Sequence, residues 1–173
     1  MNTTEFLTIA TAICPDRTAI VFEGKRYTFA ELSERVNRLA NALANLGVKK
    51  GDRVALLQVN CNQCVETYFA VAKIGALYVP LNFRAKADEH DYMINFAEVN
   101  ALFMGDRYID LINSIKSRLT TVQHFISIES KRNGMLYYED LIASSPADEA
   151  VAEIDDDDTT ILMYTAGTTG FPK

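Results

Sequence analysis

Two periodicities alternate along this chain. Ala19-Ile20-Val21-Phe22 and Arg26-Tyr27-Thr28-Phe29 are short β-prone runs on either side of Glu23-Gly24-Lys25, which predicts a hairpin with glycine in its turn. The period then lengthens, with Leu32, Val36, Leu39, Leu43 and Leu46 recurring at helical spacing. Thr28 and Glu31 mark the start of that helix: at T-x-x-E spacing each side chain satisfies a free backbone N–H of the first turn, and Gly47 supplies the stop. From Val54 to Val59 the run is almost continuously apolar, as in a strand covered on both faces. A helix over about 63–74 ending at Gly75, a strand over 77–79 closed by Pro80 and a helix over 88–97 follow. Next come a strand over 101–104, a helix over 108–119 and a strand over 125–128. Tyr137-Tyr138 are expected to pack a short helix that follows them. Residues 146–158 are small, acidic and aperiodic, so they read as a linker. Thr160-Ile161-Leu162-Met163-Tyr164 then reads as one more strand. At the other end, Phe6, Ile9 and Ile13 share one face of a short helix and are expected to dock it.

Strands alternating with helices indicate βαβ crossovers. The expected fold is therefore α/β: a mostly parallel sheet of βαβ units flanked by helices, with an N-terminal β-hairpin and helix set apart. The expected division is 1–50 for the N-terminal helix, hairpin and capped helix, 51–145 for the parallel unit, 146–158 for the linker and 159–173 for the last strand and the loop it feeds.

Composition narrows function more than fold. Hydrophobic residues make up 49% and charged residues 23% of 173, as in a globular domain with a real core. A formal charge of −6 with scattered Lys and Arg argues against a nucleic-acid partner and against a basic membrane-surface patch. No apolar run reaches the roughly 18–20 residues of a transmembrane helix. The segment MNTTEFLTIATAIC has Glu5 where a signal peptide carries positive charge, so a cytoplasmic location is expected. Three cysteines without a signal peptide point to reduced thiols.

The chemistry concentrates in YTAGTTGFPK, residues 164–173. A strand feeding a glycine-rich loop suits phosphate, because glycines let successive backbone N–H groups turn inward into an anion-binding nest. Threonine hydroxyls add donors and Lys173 adds a full positive charge. The stretch is not a Walker A loop, in which lysine follows the second glycine directly. Here Phe171 and Pro172 intervene.

YTAGTTGFPK resembles the signature loop of the adenylate-forming (AMP-binding) superfamily, YTSGTTGxPKG, with Ala166 standing where that loop usually has serine or glycine. The resemblance runs through nearly the whole chain. TAIVFEGKRYTFAELSERVNRLANAL is similar to the opening hairpin and helix of the superfamily, and GVKKGDRVALLQVNCNQCVETYFAVAKIGALYVPLN to its second block. The acyl-CoA synthetase branch, of long-chain fatty-acid–CoA ligase type, is the nearest in character. That resemblance implies two half-reactions. A carboxylate attacks the α-phosphate of Mg²⁺-bound ATP to give an acyl adenylate and pyrophosphate, and coenzyme A then displaces AMP to give the thioester. It assigns Thr165, Ala166, Gly167, Thr168, Thr169, Gly170 and Lys173 to the ATP phosphates. The adenine and ribose contacts, acyl pocket, Mg²⁺-binding acid and mobile C-terminal domain lie after this loop in the superfamily. The chain is therefore expected to be an N-terminal fragment, with no catalytic residue of its own and no ligase activity alone. In the superfamily the helix over 30–46 packs against strands that come after the loop. Its apolar stripe is accordingly expected to lack cover, and the fragment to self-associate through it.

Other readings stay open. An adenylation domain that loads a carrier protein shares this N-terminal region, and a nucleotide-binding module without chemistry is also compatible. Cys61-x-x-Cys64 has the spacing of a redox dithiol, although ordinary part-buried thiols are the commoner outcome of such a pair. Zinc would want a second Cys or His pair at suitable spacing, and the sequence has none. Asp155 to Asp158 read as a solvated run rather than a metal cluster, with one acid capping a turn. His90 and His124 read as surface or satisfied polar residues.

Overall fold

The computed structural model describes residues 2–150 and 152–165. Helix α1 (Thr3–Ile13) leads into a hairpin of β1 (Thr18–Phe22) and β2 (Lys25–Thr28), which forms its own antiparallel two-stranded sheet. Helix α2 (Phe29–Asn45) follows directly. The remaining elements are β3 (Arg53–Leu57), α3 (Asn62–Lys73), β4 (Leu77–Pro80), α4 (Ala87–Phe96), β5 (Val99–Met104), α5 (Ile109–Ile115), β6 (His124–Ser127), β7 (Leu136–Tyr137) and α6 (Tyr138–Ala143). The strands from β3 onward make a parallel sheet in the order β4-β3-β5-β6-β7. Alternate strand residues feed two cores. Val54, Leu56, Ala101 and Phe103 meet α2, α3 and α6 on one face. Ala55, Leu57, Leu102 and Met104 meet α4 and α5 on the other. This two-sided cover explains why the strands read as unbroken apolar runs.

The ends of α2 are set locally. The Glu31 N–H donates to Thr28 Oγ1 at 3.2 Å and the Thr28 N–H to Glu31 Oε2 at 2.8 Å, closing the capping box. At the other end Gly47 sits at φ +89°, and the Val48 N–H reaches back to the Leu43 carbonyl at 3.1 Å. That left-handed residue is the position glycine fills at no steric cost.

Four expectations change. First, the stripe on α2 does not lack cover: Leu32, Val36, Leu39 and Leu43 are buried within this chain, and Leu46 is half-buried. α3, α6 and the sheet core cover it, so the reason for expecting self-association through 30–46 falls away. Second, α1 docks through Leu7, while Phe6, Ile9 and Ile13 are exposed. Third, segment 160–164 forms a single bridge, Ile161 to Tyr78 in the parallel sense, rather than a full strand. Fourth, the acidic linker is tied down at its start by α2 and at its end by Lys50, while Asp155 to Asp157 stay exposed as expected. The side chains of Asn37, Arg38 and Asn41 on α2 donate to the carbonyls of Ala147, Ser145, Pro146 and Asp148 at 2.7–3.1 Å. Lys50 Nζ then meets Asp158 at 2.6 Å, and Asp158 also caps its own turn by accepting from the Asp155 N–H at 2.8 Å.

The two histidines separate. His124 Nε2 lies 3.0 Å from the Leu46 carbonyl oxygen and is satisfied. His90 is fully buried in α4, and among the described residues its ring nitrogens make no well-formed hydrogen bond, the Ala85 backbone acting on the ring only weakly. Burial favours the neutral ring and holds its pKa below the ordinary 6.5, with Glu89 and the Ala85 backbone opposing more weakly. As pH falls the unfolded chain therefore takes up this proton first. Stability from His90 is full above pH 6.5 and declines as pH drops through that value, by at most about 1.4 kcal/mol per pH unit for one proton. His90→Leu should flatten the fall in thermal midpoint between pH 6.5 and 5. An unchanged profile would reject this origin of acid sensitivity.

Candidate functional site

In an open parallel sheet, ligand sites form outside the carboxyl ends of the strands. The segment that carries the glycine-threonine loop arrives at that edge. The Tyr78 N–H donates to the Thr160 carbonyl at 2.9 Å, and the Leu162 N–H donates to the Tyr78 carbonyl at 2.9 Å. Ile161 packs into the α3 face, while Leu162 and Tyr164 pack into the α4 face. The Tyr164 hydroxyl also donates to the Met93 carbonyl of α4 at 2.8 Å. The backbone is thus pinned on both faces and at the sheet edge immediately before Thr165, which is exposed. Of the residues assigned to the ATP phosphates, Thr165 stands at this edge. Ala166, Gly167, Thr168, Thr169, Gly170 and Lys173 lie outside the described residues.

The same edge holds a polar cluster that the sequence reading missed. β3 is followed in the chain by β4 on one side, and β5 then lies on the other side of β3, so the strand order reverses between β3 and β5. Gln58, just past β3, is buried there. Its Nε2 donates to Glu129 Oε1 at 3.1 Å and its Oε1 accepts from the Val59 N–H at 2.8 Å. Glu129 Oε2 accepts from the Asp106 N–H at 2.6 Å, and Asp106 accepts from Ser130 and Arg132. Burial works against the Asp106 charge, but Ser130 and Arg132 outweigh it and hold that carboxyl below its ordinary value. Gly105 leaves the room Gln58 occupies, since a Cβ there would run into the Gln58 amide. These groups chiefly satisfy one another, so the cluster joins three strand ends. Gln58, Asp106 and Glu129 are each the first polar residue past the end of β3, β5 and β6, which is the signal that could have located them; Ser130 and Arg132 follow Glu129 in the chain.

A second buried network lies beneath the α3 face. Glu66 is fully buried and accepts from Asn62 Nδ2 and from the Tyr138 hydroxyl, both at 2.7 Å. Arg35 Nη2 lies 3.0 Å from the same Glu66 oxygen, and its guanidinium donates to both Glu139 oxygens at 3.1 and 2.7 Å. Burial works against the Arg35 charge, yet the hydrogen bonds that it donates to Glu139 and Glu66 outweigh it and hold the guanidinium firmly protonated. Burial, reinforced by the Glu66 charge, raises the Tyr138 phenol. The arrangement ties α2, α3 and α6 together.

An open parallel sheet with segment 160–165 running beside its edge strand β4 defines the class, and comparison with known proteins supplies the family. The model of the family described as AMP-binding enzyme matches residues 8–173, and the chain belongs to that family. A 3-oxocholest-4-en-26-oate–CoA ligase of Rhodococcus rhodochrous is 32% identical over 100% of this chain and 32% of its own length. A crotonobetaine/carnitine–CoA ligase of Salmonella heidelberg is 29% identical over 91% of this chain and 32% of its own. Among solved structures, an anthranilate CoA ligase in complex with anthranoyl-AMP superposes with a TM-score of 0.95 at 29% identity, covering 99% of this chain and 33% of that one. The chain spans about a third of the length of these relatives.

Proposed function

We propose that the protein carrying this chain is an ATP-dependent acyl-CoA synthetase of fatty-acid–CoA ligase type, and that residues 165–173 hold the β- and γ-phosphates of ATP. The observation that carries the reading is the pinned segment 160–164, which fixes the backbone beside β4 immediately before residues 165–173 in the chain. Preplaced N–H groups, hydroxyls and Lys173 would neutralise charge as pyrophosphate leaves, stabilising the transition state electrostatically. Activation is needed because a carboxylate is a poor electrophile and AMP is a good leaving group. Mg²⁺ would arrive with ATP, held mainly by its phosphates and by residues after the loop. CoA is favoured over a carrier protein as acceptor because the relatives above are CoA ligases. Residues 146–158, strapped to α2 at 146–148 and to Lys50 at 153–158, would hold the parallel unit and the loop segment at a constant spacing. The 173-residue chain should form no acyl-CoA by itself.

The test is acid-dependent ATP–pyrophosphate exchange and CoA thioester formation by the full-length protein across short-, medium- and long-chain acids. Exchange and thioester formation with fatty acids support the proposal. Exchange without transfer to CoA would move the assignment to a carrier-loading enzyme, and absence of exchange with every acid would overturn it.

A further inference from the structure

Cys61 and Cys64 stand one helical turn apart at the start of α3, on the same carboxyl edge of the sheet as the loop segment. Cys61 is the N-cap and Cys64 lies three residues on, so the side chains are neighbours on one face. Their sulfurs are 3.5 Å apart, both residues are half-buried rather than sealed, and both thiols are free. Spacing i, i+3 across a first turn is within the reach of a disulfide once a side chain rotates. Sequence spacing alone favours ordinary thiols; direct sulfur contact at an accessible helix start does not.

We propose that Cys61 and Cys64 are a redox modification site, converted reversibly to an intramolecular disulfide by hydroperoxides. The Cys64 thiolate attacks the terminal oxygen of the hydroperoxide. The O–O bond breaks, the alkoxide takes up a proton as alcohol, and Cys64 becomes the sulfenic acid. The Cys61 sulfur then attacks the Cys64 sulfur, the S–O bond breaks, and hydroxide leaves with the Cys61 proton as water. Two thiols and one hydroperoxide give one disulfide, one alcohol and one water, the peroxide taking the two electrons the sulfurs lose. The order of attack follows from the local charges. The hydrogen bond from Cys61 brings the Cys64 thiol down to about 7 against the opposing effect of burial, whereas Cys61 is raised by the same contact and by burial. Both thiols also act on the Tyr78 phenol, whose own pKa is raised mainly by burial, and the Tyr78 backbone pins residues 160–162. Cys64 and Tyr78 also belong to one hydrophobic cluster, so the pair lies near the residue that seats the loop segment.

The experiment treats the reduced chain at pH 7 with one equivalent of tert-butyl hydroperoxide and follows intact mass and peptide mapping. The expected result is loss of two hydrogens, mapped to a peptide bridged between Cys61 and Cys64 and reversed by dithiothreitol, with Cys14 still free. Cys61→Ser should stop at a sulfenic acid on Cys64 that dimedone traps. Cys64→Ser should react roughly tenfold more slowly, since an ordinary thiol is only a few per cent ionised at pH 7. Alkylation of the unmutated chain by iodoacetamide gives a reading that does not depend on the variants folding, and Cys64 should be labelled ahead of Cys14. Oxidation of Cys14 at the same rate, intermolecular dimers as the main product, or slower labelling of Cys64 than of Cys14 would each overturn the proposal.

Discussion

Arg35→Met is expected to destabilise the chain by about 3–5 kcal/mol, the cost of leaving one member of a buried ion pair without its partner. Glu66 is fully buried, and Arg35 is its cationic neighbour at 3.0 Å. Without the guanidinium, Glu66 keeps its hydrogen bonds from Asn62 and Tyr138 but loses the positive charge that offsets its desolvation. The loss is a large part of the roughly 5–15 kcal/mol that a domain has in total. Glu139 contributes less, because it is half-exposed and its pairing with Arg35 is partly solvent-screened. Pairing Arg35→Met with Glu66→Gln should recover much of the loss. The amide keeps an acceptor for Tyr138 and carries no charge to strand. Urea melts of the two single variants and the double variant measure the coupling. If Arg35→Met costs less than about 1 kcal/mol, the pair behaves as a surface salt bridge and the triangle of α2, α3 and α6 is held by packing alone.

Lys173→Ala in the full-length protein should slow adenylation by about 10²–10³, equivalent to roughly 3–4 kcal/mol of lost transition-state stabilisation. Pyrophosphate is present only in the first half-reaction, so the second half-reaction provides the control. Supplied with preformed acyl adenylate, the variant should make the thioester at close to the parent rate. Single-turnover measurements of each half separate the two. Thioester formation from the adenylate as slow as the whole cycle would remove Lys173 from the phosphate role and make it a general positioning residue.

Local patterns were the most legible part of this chain. The capping box at Thr28 and Glu31 and the glycine stop at Gly47 depend on neighbours within a few residues, and both stand where spacing puts them. The same holds for the alternation of strands and helices from Val54 to Ile128. Where the reading failed, the deciding contact was distant. An apolar face at Phe6, Ile9 and Ile13 looks like a docking surface, yet Leu7 is the α1 residue that is buried. His90 has an unremarkable sequence context, and only the closing of α4 over the sheet makes it a buried ring without a well-formed hydrogen bond. Asp155 to Asp157 are exposed, as a solvated run should be, but the start of the same stretch is tied to Asn37, Arg38 and Asn41, which lie more than a hundred residues earlier and leave no local signal.

By itself, then, the sequence determined the element types, the capped boundaries of α2, the parallel α/β class and the loop motif with its family resemblance. Periodicity, caps and turn residues act over a few positions and need no knowledge of the rest of the molecule. The tertiary structure decided what each face meets. It set the strand order β4-β3-β5-β6-β7, the burial of the α2 stripe against α3 and α6, the Arg35–Glu66–Tyr138 network and the seating of residues 160–162 on Tyr78. It also brought the Cys61 and Cys64 sulfurs into contact, turning a bare spacing into a defined pair. Each of these depends on packing that excludes water from both partners at once. Burial of that kind belongs to pairs of distant segments, and a single segment of sequence does not encode it.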